Sequence, residues 1–256
     1  METKSAKSFF HDPTNYAYAV SRVKAKEVHL ISAEMFSRLV LAPNFEESYK
    51  LLSETAYANY FSRLKDAFDF EAILEMEQLE ILTLLNKLAP QDLYIKFFIE
   101  RNYDQLIACA PSSFLRDFAR ILIDLDNLKI LLRRKTLGLK SPHAYLKNGR
   151  IAASQFADLE KKDFSAMHSY LKYSCLSVVV SKITFVSDAP NLESLDPAIE
   201  YYLKEVLEKV KYIAFGLEPL LFYLIIKEIE INKIRFILSA KQKGLSSEAI
   251  KEKLVL

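Results

Sequence analysis

Carboxylates are the first residues to test for chemistry. Asp124 and Asp126 lie two positions apart, and Glu75, Glu77 and Glu80 form a second close set. A metal site needs its carboxylates to converge on one ion. Residues two apart on a helix project about 200° from each other, so the Asp124–Asp126 pair does not converge and the glutamates fail for a similar reason. Asp124 and Asn127 read instead as polar positions that bond within or between helical units. His11, His29, His143 and His168 are scattered, with no pair at helical spacing. Cys109 and Cys175 read as small buried hydrophobes. No Walker sequence or nucleophile motif occurs. The expectation is no catalytic residue, no cofactor, no metal and no small-molecule substrate.

Charge is patterned more strongly than it is unbalanced. Residues 66–80 hold six acidic side chains and no basic one. They read as a solvated face, with an electrostatic contact to a partner as the alternative. Lys129 to Arg150 holds seven Lys or Arg and no acid. That run suits docking to an acidic partner, or helix-end compensation with solvation. Nucleic acid is disfavoured, because the net charge is only +2 and no RNA-binding signature occurs. The candidate docking cations are Arg22, Lys24, Lys129, Arg133, Arg134, Lys135, Arg150, Arg235 and Lys241.

The elements that must position these residues are helices. The chain has 256 residues, 51% hydrophobic and 27% charged, which excludes a disordered or collagen-like chain. Four glycines leave little room for glycine-rich phosphate loops, tight β-turns or barrel corners. Two cysteines and no tryptophan fit a reducing compartment. The start METKSAKSFFHDP has no apolar core segment, so no signal peptide is expected. The longest apolar stretch, Tyr212 to Ile226, is broken by Glu218-Pro219 and falls short of the roughly 20 residues that span a bilayer.

Helical periodicity predicts helices over Tyr18–Leu30, Ser32–Leu41, Glu46–Tyr60, one or two over Phe61–Leu88, a short one in Gln91–Asn102 and another over Asp104–Ala110. Pro43 and Pro90 act as stops. Phe114–Leu137 is the strongest in the first half, ending in Arg133-Arg134-Lys135 and then Gly138, the expected C-terminal chemistry. Ser154–Glu160 and Phe164–Val186 follow, then a loop or cap over Leu192–Pro197, and helices over Ala198–Ala214, Glu218–Ala240 and Glu248–Leu254. The class is all-α.

The chain also repeats itself. Asp124–Gly138 lies on Glu230–Gly244 after a shift of 106 positions without a gap. Leu132/Leu238, Lys135/Lys241 and Gly138/Gly244 are identical. Ser112-Ser113-Phe114-Leu115 falls over Glu218-Pro219-Leu220-Leu221. A weaker echo sets Leu30–Phe36 against Gly244–Ile250. A helical unit used two or three times explains this, each unit too small to bury its apolar face alone.

Three stretches resemble the C subunits of the V/A-type ATPases, a family that includes the d subunits of eukaryotic vacuolar ATPases. The first is Asn15–Ala25. The second is Asp124–Lys129 with Leu132–Lys135 and Gly138, continuing to Leu146, Gly149-Arg150-Ile151 and Tyr173. The third is Gly216–Leu220 with Tyr223, Glu228, Glu230, Ile234-Arg235, Lys241, Gly244-Leu245 and the closing helix. They touch the start, middle and end of the chain. The resemblance implies a funnel-like assembly of two to three related helical repeats with pseudo-threefold symmetry. The expected units are 1–90, 91–190 and 191–256. It implies a non-catalytic rotor subunit, peripheral on the cytoplasmic face of the membrane. Such a subunit links the proteolipid c-ring to the D-type and F-type proteins of the central shaft for proton or sodium transport. The chain is shorter than usual members, so some helices or loops of one unit are expected to be trimmed. A helical-repeat scaffold that binds peptides or helices in a groove is the alternative. A third reading is an all-α enzyme whose acidic residues gather only in the fold.

Overall fold

The computed structural model describes residues 16–89, 92–186 and 189–254. His11, Asn15, Pro90 and Gln91 lie outside the described residues. The helices are α1 (Ala17–Glu27), α2 (Ala33–Leu41), α3 (Phe45–Leu51), α4 (Ala58–Phe61), α5 (Phe70–Leu88), α6 (Leu93–Ile99) and α7 (Tyr103–Cys109). They continue with α8 (Ser113–Thr136), α9 (Ala153–Lys161), α10 (Phe164–Lys172), α11 (Ser177–Lys182), α12 (Leu195–Glu208), α13 (Glu218–Gln242) and α14 (Ser247–Lys253). The protein is all-α. Among the described residues the only strands are β1 (Phe185–Val186) and β2 (Ala189–Pro190), a two-residue antiparallel pair.

Helix starts follow local polar chemistry. Ser32, Asn44, Asp69, Asp92, Asn102, Ser112, Asp163 and Ser246 each accept a backbone N–H from the first turn of the helix they open. The same chemistry breaks some expected long helices. The expected helix Glu46–Tyr60 is interrupted, because Ser53 Oγ donates to Lys50 O and Thr55 Oγ1 to Leu52 O. These bonds end α3 in a 3₁₀ turn over Leu52–Glu54. Phe164–Val186 is likewise not one helix. Ser174 Oγ donates to Leu171 O and accepts from Leu176 N, which separates α10 from α11. α12 begins at Leu195, before the expected Ala198, with Pro197 in its first turn where no N–H is needed.

Two large cores hold the helices. One runs from Val20, Leu39, Leu52, Ile73 and Leu85 through Leu106 and Leu115 to Leu220, Ile234, Leu238 and Ile250. It thus draws on all three of the expected segments 1–90, 91–190 and 191–256. The other gathers Leu125, Leu128, Leu132, Phe156, Leu171, Val179 and Ile199 around α8 to α12. A smaller cluster of Phe118, Leu207 and Ile225 joins the first halves of α8 and α13 to the end of α12.

Candidate functional site

The repeat in the sequence has a physical counterpart. At the C-terminal end of α8, Gly138 takes φ 62° and Leu139 N donates to Arg134 O. At the end of α13, Gly244 takes φ 75° and Leu245 N donates to Ala240 O. All three positions obey the shift of 106. An L side chain rarely adopts such a φ, so only glycine ends both helices without strain.

Both long helices then hold a short helix at its two ends. Asp124 of α8 accepts N–H bonds from Arg150 (3.0 Å) and Ile151 (3.2 Å), just before α9. Glu230 of α13, the counterpart of Asp124, accepts the N–H of Ile31 (2.6 Å), just before α2. Lys135 of α8 donates to Glu160 O (3.0 Å) and to Lys162 O at the end of α9. Lys241 of α13 donates to Ala42 O (2.6 Å) at the end of α2 and to Ser247 Oγ (2.9 Å). Ile151 lies 120 positions after Ile31, and Lys162 lies 120 after Ala42. The buried pairs Phe36/Phe156 and Leu39/Leu159 keep the same shift. α13 therefore serves α2, from the far end of the chain, as α8 serves α9.

The environments of the two carboxylates differ. Burial raises the pKa of Asp124, partly offset by the two N–H bonds and Arg150. Its neighbour Cys175 is pushed up to about 11 by burial and by Asp124. Gly149 presses so close that a Cβ there would strike Asp124 Oδ1. Glu230 sits instead in a buried ionic cluster. Lys227 Nζ pairs with Glu230 (2.7 Å) and Glu77 (2.5 Å), and Tyr57 donates to Glu230 (2.9 Å). Burial alone would lower the Lys227 pKa, but the two carboxylates outweigh it and raise it.

Between the two frames lies a cleft of about 670 Å³. α8 offers it Leu122, Leu125, Asp126, Lys129 and Arg133, spaced along one helical face, and α13 offers Ile225, Glu228, Ile229, Asn232, Lys233 and Phe236. Asp126 and Asn232, equivalent in the repeat, both line it. α12 closes the third side with Asp196, Ile199, Glu200 and Leu203. The lining mixes apolar surface with both signs of charge. Lys129 reaches Asp196 at 3.3 Å and Arg133 reaches it at 3.8 Å. Lys233 pairs with Glu200 at 2.9 Å. Burial raises the pKa of Glu228, and Arg101 opposes it. At the N-terminal ends of the two long helices Ser112 Oγ donates to Glu218 (2.8 Å), another pair related by 106 positions. Such a cleft can seat a helix end that carries apolar and charged groups together.

The family model described as ATP synthase (C/AC39) subunit matches residues 19–110 and 96–253. The chain belongs to this family. It is 23% identical to the A-type ATP synthase C subunit of Methanocaldococcus jannaschii over 254 residues, 96% of this chain and 59% of that protein. It is 23% identical to the protein of the same name from Haloferax volcanii over 226 residues, 87% of this chain and 61% of that protein. The chain thus spans less than two thirds of the length of these curated relatives.

Within this C/AC39 family member the expected docking cations have separate fates. Lys129 and Arg133 come together on the cleft. Arg134 pairs with Glu160 at 2.8 Å, Lys135 lies over the Phe164 ring, and Lys241 is buried, which lowers its pKa. Arg235 pairs with Glu71 at 2.9 Å, and Arg150 with Asp117 at 3.6 Å. Lys24 pairs with Glu27 and lies over the Phe222 ring. Arg22 is exposed on α1. The acidic run 66–80, expected to be a solvated face, is instead partly spent inside the fold. Glu71 and Glu77 pair with α13, and Glu80 meets Lys26 and Tyr60. Asp124 and Asp126 diverge as their spacing requires, Asp126 accepting from the Tyr103 hydroxyl. Among the described residues no group of three His, Cys, Asp or Glu is placed to hold a metal.

The cleft residues of α12 and Glu228 were not singled out by spacing or motif as site residues. A signal for the α2–α9 likeness does exist. Ile31-Ser32-Ala33 with Phe36 and Leu39 matches Ile151-Ala152-Ala153 with Phe156 and Leu159.

Proposed function

We propose that this chain is a non-catalytic central-stalk component of a V/A-type rotary ATPase, joining the membrane proteolipid ring to the central shaft during proton or sodium transport. Membership of the C/AC39 family supports a place in such a complex. The observation that carries the mechanical part is the cleft between two equivalent helical frames. α8 and α13 are each clamped to a short helix by a buried carboxylate and a lysine, so the walls of the cleft are stiff. Stiff walls suit torque transfer, because little energy is lost in bending. On this reading the frames belong to a pseudo-threefold funnel, and the D-type and F-type shaft proteins end in the cleft, where Lys129, Arg133 and Glu228 meet them. The chain then works as a peripheral component on the cytoplasmic face. Among the described residues no helix is long and apolar enough to cross a membrane.

The test is a pull-down of the tagged chain from native membranes. The proteolipid ring and the shaft proteins should co-purify, and Lys129→Gln with Arg133→Gln should weaken shaft recovery about tenfold with little change in the melting transition. Recovery of neither partner would overturn the reading. A groove-binding scaffold would instead retain unrelated helical peptides.

A further inference from the structure

The cleft and the N-terminal ends of the two long helices that wall it differ in chemistry. The cleft lining is rich in charge, with Lys129, Arg133, Glu193, Asp196 and Lys253. The joined N-terminal ends of α8 and α13, at Ser112 and Glu218, carry exposed aromatic rings beside them instead. The turn 209–217 leads directly into Glu218. Tyr212 there is 86% exposed and Phe215 is 53% exposed, with Ala214 exposed between them. Lys209 and Lys211 are exposed beside them, flanked by exposed Glu208 before and partly buried Glu218 after, with no carboxylate between. α1 runs alongside, since Lys24 Nζ reaches Lys211 O at 3.5 Å. The first turn of α1 follows Tyr16, whose hydroxyl donates to Asp92 at the start of α6. Tyr18 in that turn is 71% exposed.

Exposed rings backed by lysines match one environment well. Aromatic side chains favour the membrane–water interface, and lysines are drawn to anionic headgroups. The rings at 212 and 215 stand out from the surface and do not line the cleft. We infer that the turn 209–217 is a membrane-surface contact, in which Tyr212 and Phe215 dip into the interfacial layer of a bilayer while Lys209 and Lys211 meet anionic lipid headgroups. The inference rests on the proposed rotary-complex function for its biological setting and gives that assembly an orientation. The N-terminal ends of α8 and α13 then face the bilayer and their C-terminal ends face away.

The full 256-residue chain is mixed with phosphatidylcholine vesicles, with or without about one third phosphatidylglycerol, and floated on a density gradient. The expected result is flotation with the anionic vesicles only, reduced by added salt. Lys209→Gln and Lys211→Gln should each weaken binding roughly fivefold. Tyr212→Ser with Phe215→Ser should weaken it at least about tenfold. These positions are exposed, so unchanged thermal melting shows that the variants fold. Wild-type affinity in the Tyr212/Phe215 variant, or no flotation of the wild-type chain, overturns the inference. Retention on a detergent-solubilised proteolipid ring without vesicle binding reassigns the turn to a protein contact and also overturns it. Co-purification of the ring and shaft with the chain is scored separately. A chain that joins the complex yet ignores vesicles sinks this inference alone.

Discussion

The α8–α9 pair and the α13–α2 pair use the same contacts, yet one joins helices adjacent in the chain and the other joins its two ends. In both, a carboxylate on the long helix fixes the residue before the short helix, and a lysine takes the carbonyls at its end. The pair formed across the chain ends has more around it. Glu230 is surrounded by Lys227, Glu77 and Tyr57, and Lys241 is 7% exposed. Asp124 has two backbone N–H groups and a thiol, while Lys135 is only half-buried. The direct connection over residues 137–152 keeps α9 near α8 even when the clamp opens. No such tether keeps α2 near α13, so closing that junction costs more chain entropy and is held by more bonds.

The largest expected effect separates the two clamps directly. Glu230→Ala should cost about 3–5 kcal/mol, because it leaves Ile31 N–H and Tyr57 without an acceptor and strips a buried lysine of one partner. Asp124→Ala should cost less, about 2–3 kcal/mol, for two orphaned N–H groups. Hydrogen exchange should show loss of protection at Ile31 in the first variant and at Ile151 in the second. Equal costs with protection lost at both sites would break the comparison. Gly149→Ala comes next, at about 2 kcal/mol, since its Cβ meets the Asp124 carboxylate. Denaturant melts should find most of that loss absent when Gly149→Ala is added to Asp124→Ala, because only the approach to Ile123 Cγ2 at 3.1 Å then remains.

The lysines should rank by burial. Lys241→Met should cost about 2 kcal/mol by leaving Ala42 O without its partner, and Lys135→Met about 1 kcal/mol, both read from urea midpoints. A reversed order would sink the claim that the end-to-end junction is the more heavily bonded one. The smallest effects should also be the most alike. Gly138→Ala and Gly244→Ala should each cost about 1 kcal/mol, because both hold positive φ and neither Cβ would meet an atom within 4 Å. Costs differing by more than about 1 kcal/mol would show that the two helix ends are not equivalent.

Much of this frame is written locally. The periodicity of 114–137 and 218–240 marks the two long helices, and Lys135-x-x-Gly138 with Lys241-x-x-Gly244 marks their matching ends. Ser32, Ser112 and Ser246 announce helix starts, because a hydroxyl beside free N–H groups acts within one turn. The short breaks at Ser53, Thr55 and Ser174 are harder to read, since the same hydroxyls are tolerated inside helices when they point elsewhere.

The basic run 129–150 shows the limit of linear charge. Its cations are near in sequence, but Arg134 and Lys135 turn to α9, Arg150 to Asp117, and only Lys129 and Arg133 face the cleft. The acidic run 66–80 behaves alike, with Glu71 and Glu77 spent on α13.

The sequence by itself determined the all-α class, the long repeated helices, their glycine ends and the family, because each depends on near neighbours or on residue order. Only the tertiary structure decided that α13 completes the unit begun by α2, which charges are consumed inside, and where the cleft opens. Those outcomes depend on which surfaces meet across some two hundred residues, and a side chain carries no local mark of its distant partner.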